Sequence, residues 1–230
     1  MALKSTLLTL FLFLASEGLN AQPALHDQHL PSFMGRAVSV VEPKLDPDGF
    51  FPEGPASVCV EFLPQRQCYT APKDFGRNPA VTVVQLEKNA PALFFSAVSG
   101  GVSGFEIHFA LLQPGRAKDL EDILNVSVSN QSQHAFWNDP SISTTPIFVT
   151  ADFIQGPEES HYSEHRYMIS AYVFGLSREI DRYYLQDRYM TVQKYDLDAK
   201  VDILASEKQE ILARLRRIKS ETERRQGKPR

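Results

Sequence analysis

Phe105-Glu106-Ile107-His108-Phe109-Ala110-Leu111-Leu112 is the stretch that decides the fold. Phe105, Ile107, Phe109 and Leu111 alternate with Glu106, His108, Ala110 and Leu112, and a period of two is the mark of an extended strand with one face buried. The pattern recurs at Ile147, Val149, Ala151 and Phe153, which alternate with Phe148, Thr150, Asp152 and Ile154. Further runs at Val81 to Leu86, Ala92 to Val98, Arg166 to Phe174 and Tyr183 to Tyr195 are rich in Val, Phe, Tyr and Ile and are bounded by Gly, Pro and Asp. About eight strands are expected. The intervals between them are too short for parallel crossovers, apart from a short helix expected around Ala117 to Leu124. The fold class is therefore mainly β, an antiparallel sandwich or barrel.

At the C-terminal end the period changes. Ser206-Glu207-Lys208-Gln209 reads as a capping box, in which a serine hydroxyl and a glutamine side chain satisfy the first free N–H groups of a helix. Ile211, Leu212, Leu215 and Ile218 form one apolar stripe, and Gly227 and Pro229 stop the helix, which is expected over 206–225. Burying that stripe is worth at most roughly 6 to 10 kcal/mol, so the amphipathic helix packs on the sheet or on a partner.

At the other end, Lys4 precedes an apolar run from Thr6 to Ala15 and a polar stretch to Ala21, the pattern of a secretory signal peptide over 1–21. Residues 22–56 hold six prolines and one short run, Ala37-Val38-Ser39-Val40-Val41, and read as a partly disordered arm with one possible strand. Residues 57–230 then form a single β domain. No second apolar run approaches the roughly 20 residues of a membrane helix. The expected location is secreted or periplasmic, and that choice governs the cysteines. Cys59 and Cys68 flank Leu63-Pro64-Gln65-Arg66, a turn that places them opposite each other in a hairpin, and an oxidising compartment makes such a pair a structural disulfide.

His161-Tyr162-Ser163-Glu164-His165 carries the most specific chemical pattern. It reads His-x-x-Glu-His and is similar to the zinc motif of the inverzincin peptidases. That resemblance implies a Zn²⁺ held by His161 and His165, with Glu164 activating the bound water and a further acidic ligand downstream, for which Glu207 and Glu210 are the candidates. The motif requires a helix. Tyr167, Ile169, Ala171 and Val173 alternate as a strand immediately afterward, which puts the histidines in an acidic hairpin loop instead. A non-catalytic metal site would draw on His161, His165 and one of Glu158, Glu159 or Asp152. No other cofactor is indicated.

Other signals are weaker. Ser99-Gly100-Gly101-Val102-Ser103-Gly104 reads as a hairpin connection, because a strand follows where a phosphate loop needs a helix. Asn125-Val126-Ser127 and Asn130-Gln131-Ser132 place their region at the surface. Tyr162, Tyr167, Tyr172, Tyr183, Tyr184, Tyr189 and Tyr195 suit cross-strand core pairs, or a sheet face that binds sugar or peptide. Residues 206 to 230 hold nine Lys and Arg against four Glu, a net of +5, so the rest of a chain totalling −4 carries −9. Arg214, Arg216, Arg217, Lys219, Arg224 and Arg225 read as an ordinary solvated helix face rather than a nucleic-acid or membrane surface. With no convincing nucleophile or phosphate loop, the functional expectation is a non-catalytic exported domain that binds a protein or glycan partner or has a structural role in the envelope. The alternative is a metal-dependent hydrolase centred on His161, Glu164 and His165.

Overall fold

The computed structural model describes residues 30–49, 51–87, 90–99, 106–115, 119–129, 132–156, 159–160, 163–176, 181–196 and 201–226. The signal-like residues 1–21, the start of the arm, Gly100 to Phe105, Asn130, Glu158, His161 and Tyr162 lie outside them. Among the described residues the chain forms twelve strands and one helix. In order these are β1 Val38–Val41, β2 Ser57–Phe62, β3 Gln65–Thr70, β4 Phe75–Glu87, β5 Ala90–Ser99, β6 Glu106–Pro114 and β7 Leu120–Asp122. β8 Val126–Ser129, β9 Gln133–Trp137, β10 Ile147–Ile154, β11 Arg166–Leu176, β12 Asp181–Met190 and α1 Ile203–Gln226 follow. The ladders between strands are all antiparallel.

These strands make three sheets. Sheet I has the order β1-β2-β3, sheet II the order β4-β5-β6-β7 with β8 also on β6, and sheet III the order β12-β11-β10-β9. Their side chains sort into three cores that alternate with the sheets. Val58 and Val60 of β2 meet Leu93, Phe95, Ala97, Ala110 and Leu112 of sheet II in the first core. The opposite face of sheet II, through Phe94, Phe109 and Leu111, meets Phe148 and Tyr183 of sheet III in the second. The far face of sheet III, through Ile147, Val149, Ile169 and Ala171, meets Ile211, Leu212 and Leu215 of α1 in the third. The order of layers is thus sheet I, sheet II, sheet III, helix. Sheets II and III are covered on both faces, which is why Ala92 to Val98 and Ile107 to Leu112 read as nearly continuous apolar runs.

The arm joins this stack from Leu30 onward. Phe33 is fully buried in the first core, and β1 pairs along β2 with Val38 opposite Val60. Cys59 faces Cys68 across the β2–β3 ladder, and the two are bonded as expected. Two local expectations change. Residues 119–122 are extended rather than helical: Asp119 bridges to Cys68 and β7 pairs with the end of β6, so the sheet edge captures the segment. The helix also begins at Ile203, ahead of the Ser206 capping box. Asp202 is the cap, its Oδ1 accepting from the Ala205 amide at 2.9 Å, while the Ser206 hydroxyl donates back to the Asp202 carbonyl. No helix among the described residues is long and apolar enough to cross a membrane.

Candidate functional site

Of the motif residues, His165 opens the β11 side of the β10–β11 connection, where it bridges to Tyr195. Its ring is fully buried against Phe153, with centroids 4.4 Å apart. Nδ1 lies 3.1 Å from Oε2 of Glu159, and Nε2 is buried without a hydrogen-bond partner. Oε1 of Glu159 accepts from Lys194 at 2.7 Å, and Oε2 also accepts from the Gly156 amide. The lysine contact first, then that amide and His165, hold the Glu159 carboxyl down to about 2. Glu164 is exposed, and Ser163 to His165 run as a bend and a bridge, so the helix that would aim Glu164 and His165 together is not formed across them. Two of the other candidate acids are engaged elsewhere. Asp152 accepts from the amide and hydroxyl of Ser129, and Glu207 accepts from two tyrosines. Among the described residues no three His, Cys, Asp or Glu side chains converge as a metal site.

A second polar cluster was not visible in the sequence. His108 of β6 is fully buried on the face of sheet II that meets sheet I, with Phe75 at 5.3 Å. Its Nε2 lies 2.8 Å from the Tyr69 hydroxyl and its Nδ1 3.2 Å from the Ser127 hydroxyl. The Tyr69 hydroxyl also donates to Asp122 Oδ2 at 3.5 Å, and Asp122 Oδ1 accepts from the amides of Leu111, Leu124 and Asn125. One assignment of protons satisfies every group: Ser127 donates to Nδ1, Nε2–H donates to Tyr69, and Tyr69 donates to Asp122. Burial pushes the His108 pKa down to about 4, and burial with the neighbouring Asp122 charge pushes the Tyr69 hydroxyl up. Burial also raises Asp122, against the pull of its three amides. A histidine so reluctant to take a proton is a poor base for activating Ser127. The cluster instead ties β3 to β6, β7 and β8 across the first core, and a fully satisfied buried network specifies one arrangement of two sheets. Its sequence signal was His108 itself, the one ionisable residue within the apolar run Ile107 to Leu112.

A further opening lies between α1 and sheet III. A cleft of about 630 Å³ sits where the second half of α1 runs beside the ends of β11 and β12 and the turn Pro140–Thr145. Ile142, Val173 and Leu215 form its floor. Its walls carry Ser143, Thr144, Gln186 and Thr222, with Lys219 and Glu223 at the helix side. Tyr183 points into the second core, so the period of two turns Tyr184 to the opposite face, where it lines the cleft with 42% of its surface exposed. The turn is held to α1 by Arg216, which reaches Asp139 at 2.6 Å, and by Lys219, which donates to the Ser141 carbonyl. The basic side chains of α1 are partly absorbed in this way, and Arg214 pairs with Asp187.

No family model, no curated protein and no solved structure matches the chain.

Proposed function

We propose that this chain is an exported, non-catalytic β protein that binds a protein or glycan partner through the cleft between α1 and sheet III. The cleft supports this reading: an exposed aromatic ring and a few neutral polar side chains converge there in one concave opening, as ligand sites require. Export is supported by the leader-like run from Leu7 to Leu14 and by the Cys59–Cys68 disulfide, a bond that persists in secreted or periplasmic compartments. The test is a binding screen of soluble peptides and oligosaccharides against the chain and a Tyr184→Ala variant. Ligands lost in the variant support the reading. A reproducible hydrolytic activity with no ligand at the cleft overturns it.

A second reading, a metal-dependent hydrolase at His161, Glu164 and His165, draws on one observation. A metal-binding histidine commonly donates its second ring N–H to a carboxylate, and His165 stands in that relation to Glu159 with Nε2 unpartnered. It requires bound zinc that is lost in both His161→Ala and His165→Ala. Protein that stays metal-free after exposure to zinc at neutral pH ends it.

A further inference from the structure

We infer that the ligand of the cleft is an uncharged oligosaccharide, one pyranose ring of which lies against Tyr184; this rests on the binding reading above. The competing ligand is a peptide, and two common ways of binding one, strand addition and a deep side-chain pocket, find little purchase here. Extended peptides add to a sheet by pairing with the free N–H and C=O groups of an edge strand. β12 is the edge of sheet III, but the outward amide of Tyr183 already donates to the Ile123 carbonyl at 2.7 Å. The loop after β7 therefore occupies that edge at Tyr183, next to the cleft residue Tyr184. A peptide side chain would alternatively need a deep apolar pocket. Ile142, Val173 and Leu215 are each at most 8% exposed, because their surfaces are already buried in the third core.

What stays open is an aromatic face surrounded by neutral hydrogen-bonding groups. Sugar rings offer C–H faces that pack on such a ring, and hydroxyls that both donate and accept. Gln186 supplies a donor and an acceptor, and Thr144 an exposed hydroxyl. Thr222 gives its proton to the Ile218 carbonyl and keeps its lone pairs for an incoming donor. Lys219 and Glu223 have opposite charge one helical turn apart, so the mouth offers no unbalanced charge to select an anionic or cationic glycan.

The experiment is an amide-resolved NMR titration of the chain with cellotriose, maltotriose and N-acetylchitotriose at millimolar concentration, with a pool of neutral hexapeptides run separately. At least one trisaccharide should shift the amides of Ser143 to Thr145, Val173 to Gly175 and Tyr184 to Gln186 in a saturable way. Tyr184→Ala should weaken it by about tenfold, and Gln186→Ala by several-fold, with the remaining spectrum unchanged. Peptides that bind at these amides while no trisaccharide does would overturn the glycan assignment and leave the binding reading standing. Saccharide shifts confined to other residues, or insensitive to Tyr184→Ala, overturn the assignment as well. Silence from sugars and peptides alike overturns both readings.

Discussion

The Tyr195 hydroxyl donates to Oε1 of Glu207 across 2.7 Å, joining the segment after β12 to the first turns of α1. The other carboxylate oxygen accepts from Tyr189 of β12 at 2.9 Å, so one glutamate holds a tyrosine of the sheet and one of the segment that follows it. Seven residues further along the helix, Arg214 lies 4.4 Å over the Tyr189 ring and forks onto Asp187. Helix and sheet are thus fixed by a polar seam beside the apolar stripe.

Glu207→Ala should therefore lower stability by about 2 to 3 kcal/mol, since it removes two bonds to a charged acceptor and leaves the Tyr195 hydroxyl unpartnered in the interior. Urea denaturation reads this as a lower midpoint at unchanged slope. An unchanged midpoint would mean that Ile211, Leu212 and Leu215 alone hold the helix.

Alkaline conditions should unfold the protein early. Tyr69, Tyr183, Tyr189 and Tyr195 all have hydroxyls pushed up, in each case first by burial. A raised folded pKa contributes stability that is whole below the unfolded value of about 10 and is lost as pH rises above it. Each such tyrosine removes up to about 1.4 kcal/mol per pH unit in that window. Denaturation midpoints measured from pH 9 to 11 should fall with a slope reduced in Tyr183→Phe.

Acid acts through the histidines. His108, held to about 4 against an ordinary 6.5, refuses a proton that the unfolded chain accepts. Its contribution is present above pH 6.5 and is lost as pH falls toward 4, and His134, also depressed by burial, adds the same sign. Asp122 is raised and works in the opposite direction above its ordinary 3.8. Stability measured between pH 7 and 4 should fall, and His108→Gln should flatten that fall while starting from a lower value. An equally steep fall in the variant would remove His108 as its cause.

Reduction of Cys59–Cys68 should cost about 2 to 3 kcal/mol by the chain-entropy account of a short loop, without loss of the fold. The β2–β3 ladder is paired residue by residue from Ser57–Thr70 to Phe62–Gln65, and Val58 and Val60 remain in the first core. A Cys59→Ser, Cys68→Ser variant should keep its β-sheet circular dichroism and melt at lower temperature. Loss of the β signal would show that the bond is required for the hairpin.

The strands were legible because alternation in Ile147 to Ile154 and in Glu106 to Leu112 maps directly onto opposed faces, and the cysteine pair because a turn lay midway between its members. The third sheet face and the layering were not. A run such as Ala92 to Val98 announces burial without naming which neighbour covers which side, and three cores follow only once the sheets are stacked. Helix position slipped by one turn because Asp202 and Ser206 are both good caps, and Ile203 and Leu204, buried in the third core, decide between them. Of the candidate sites, the histidine motif was visible and the cleft was not. Ser143, Gln186 and Thr222 come from three separate segments, and no local pattern marks their meeting.

The double covering of sheet II alters what keeps its strands in place. In a sheet with one wet face, a slip by one residue throws the apolar set into water and is forbidden on that ground alone. A slip in β5 would instead exchange Phe95 with Phe94, moving one ring from the first core to the second and the other back, with neither reaching solvent. Oil-and-water sorting is nearly blind to that error. Fidelity of alignment must come from features that a slip would break: the register shifts of β4 against β5, and His108, which finds Tyr69 on one side of the sheet and would leave it for the rings of Phe94, Phe109 and His134 on the other. The buried histidine is in this sense a proofreading mark for the alignment of the central strands.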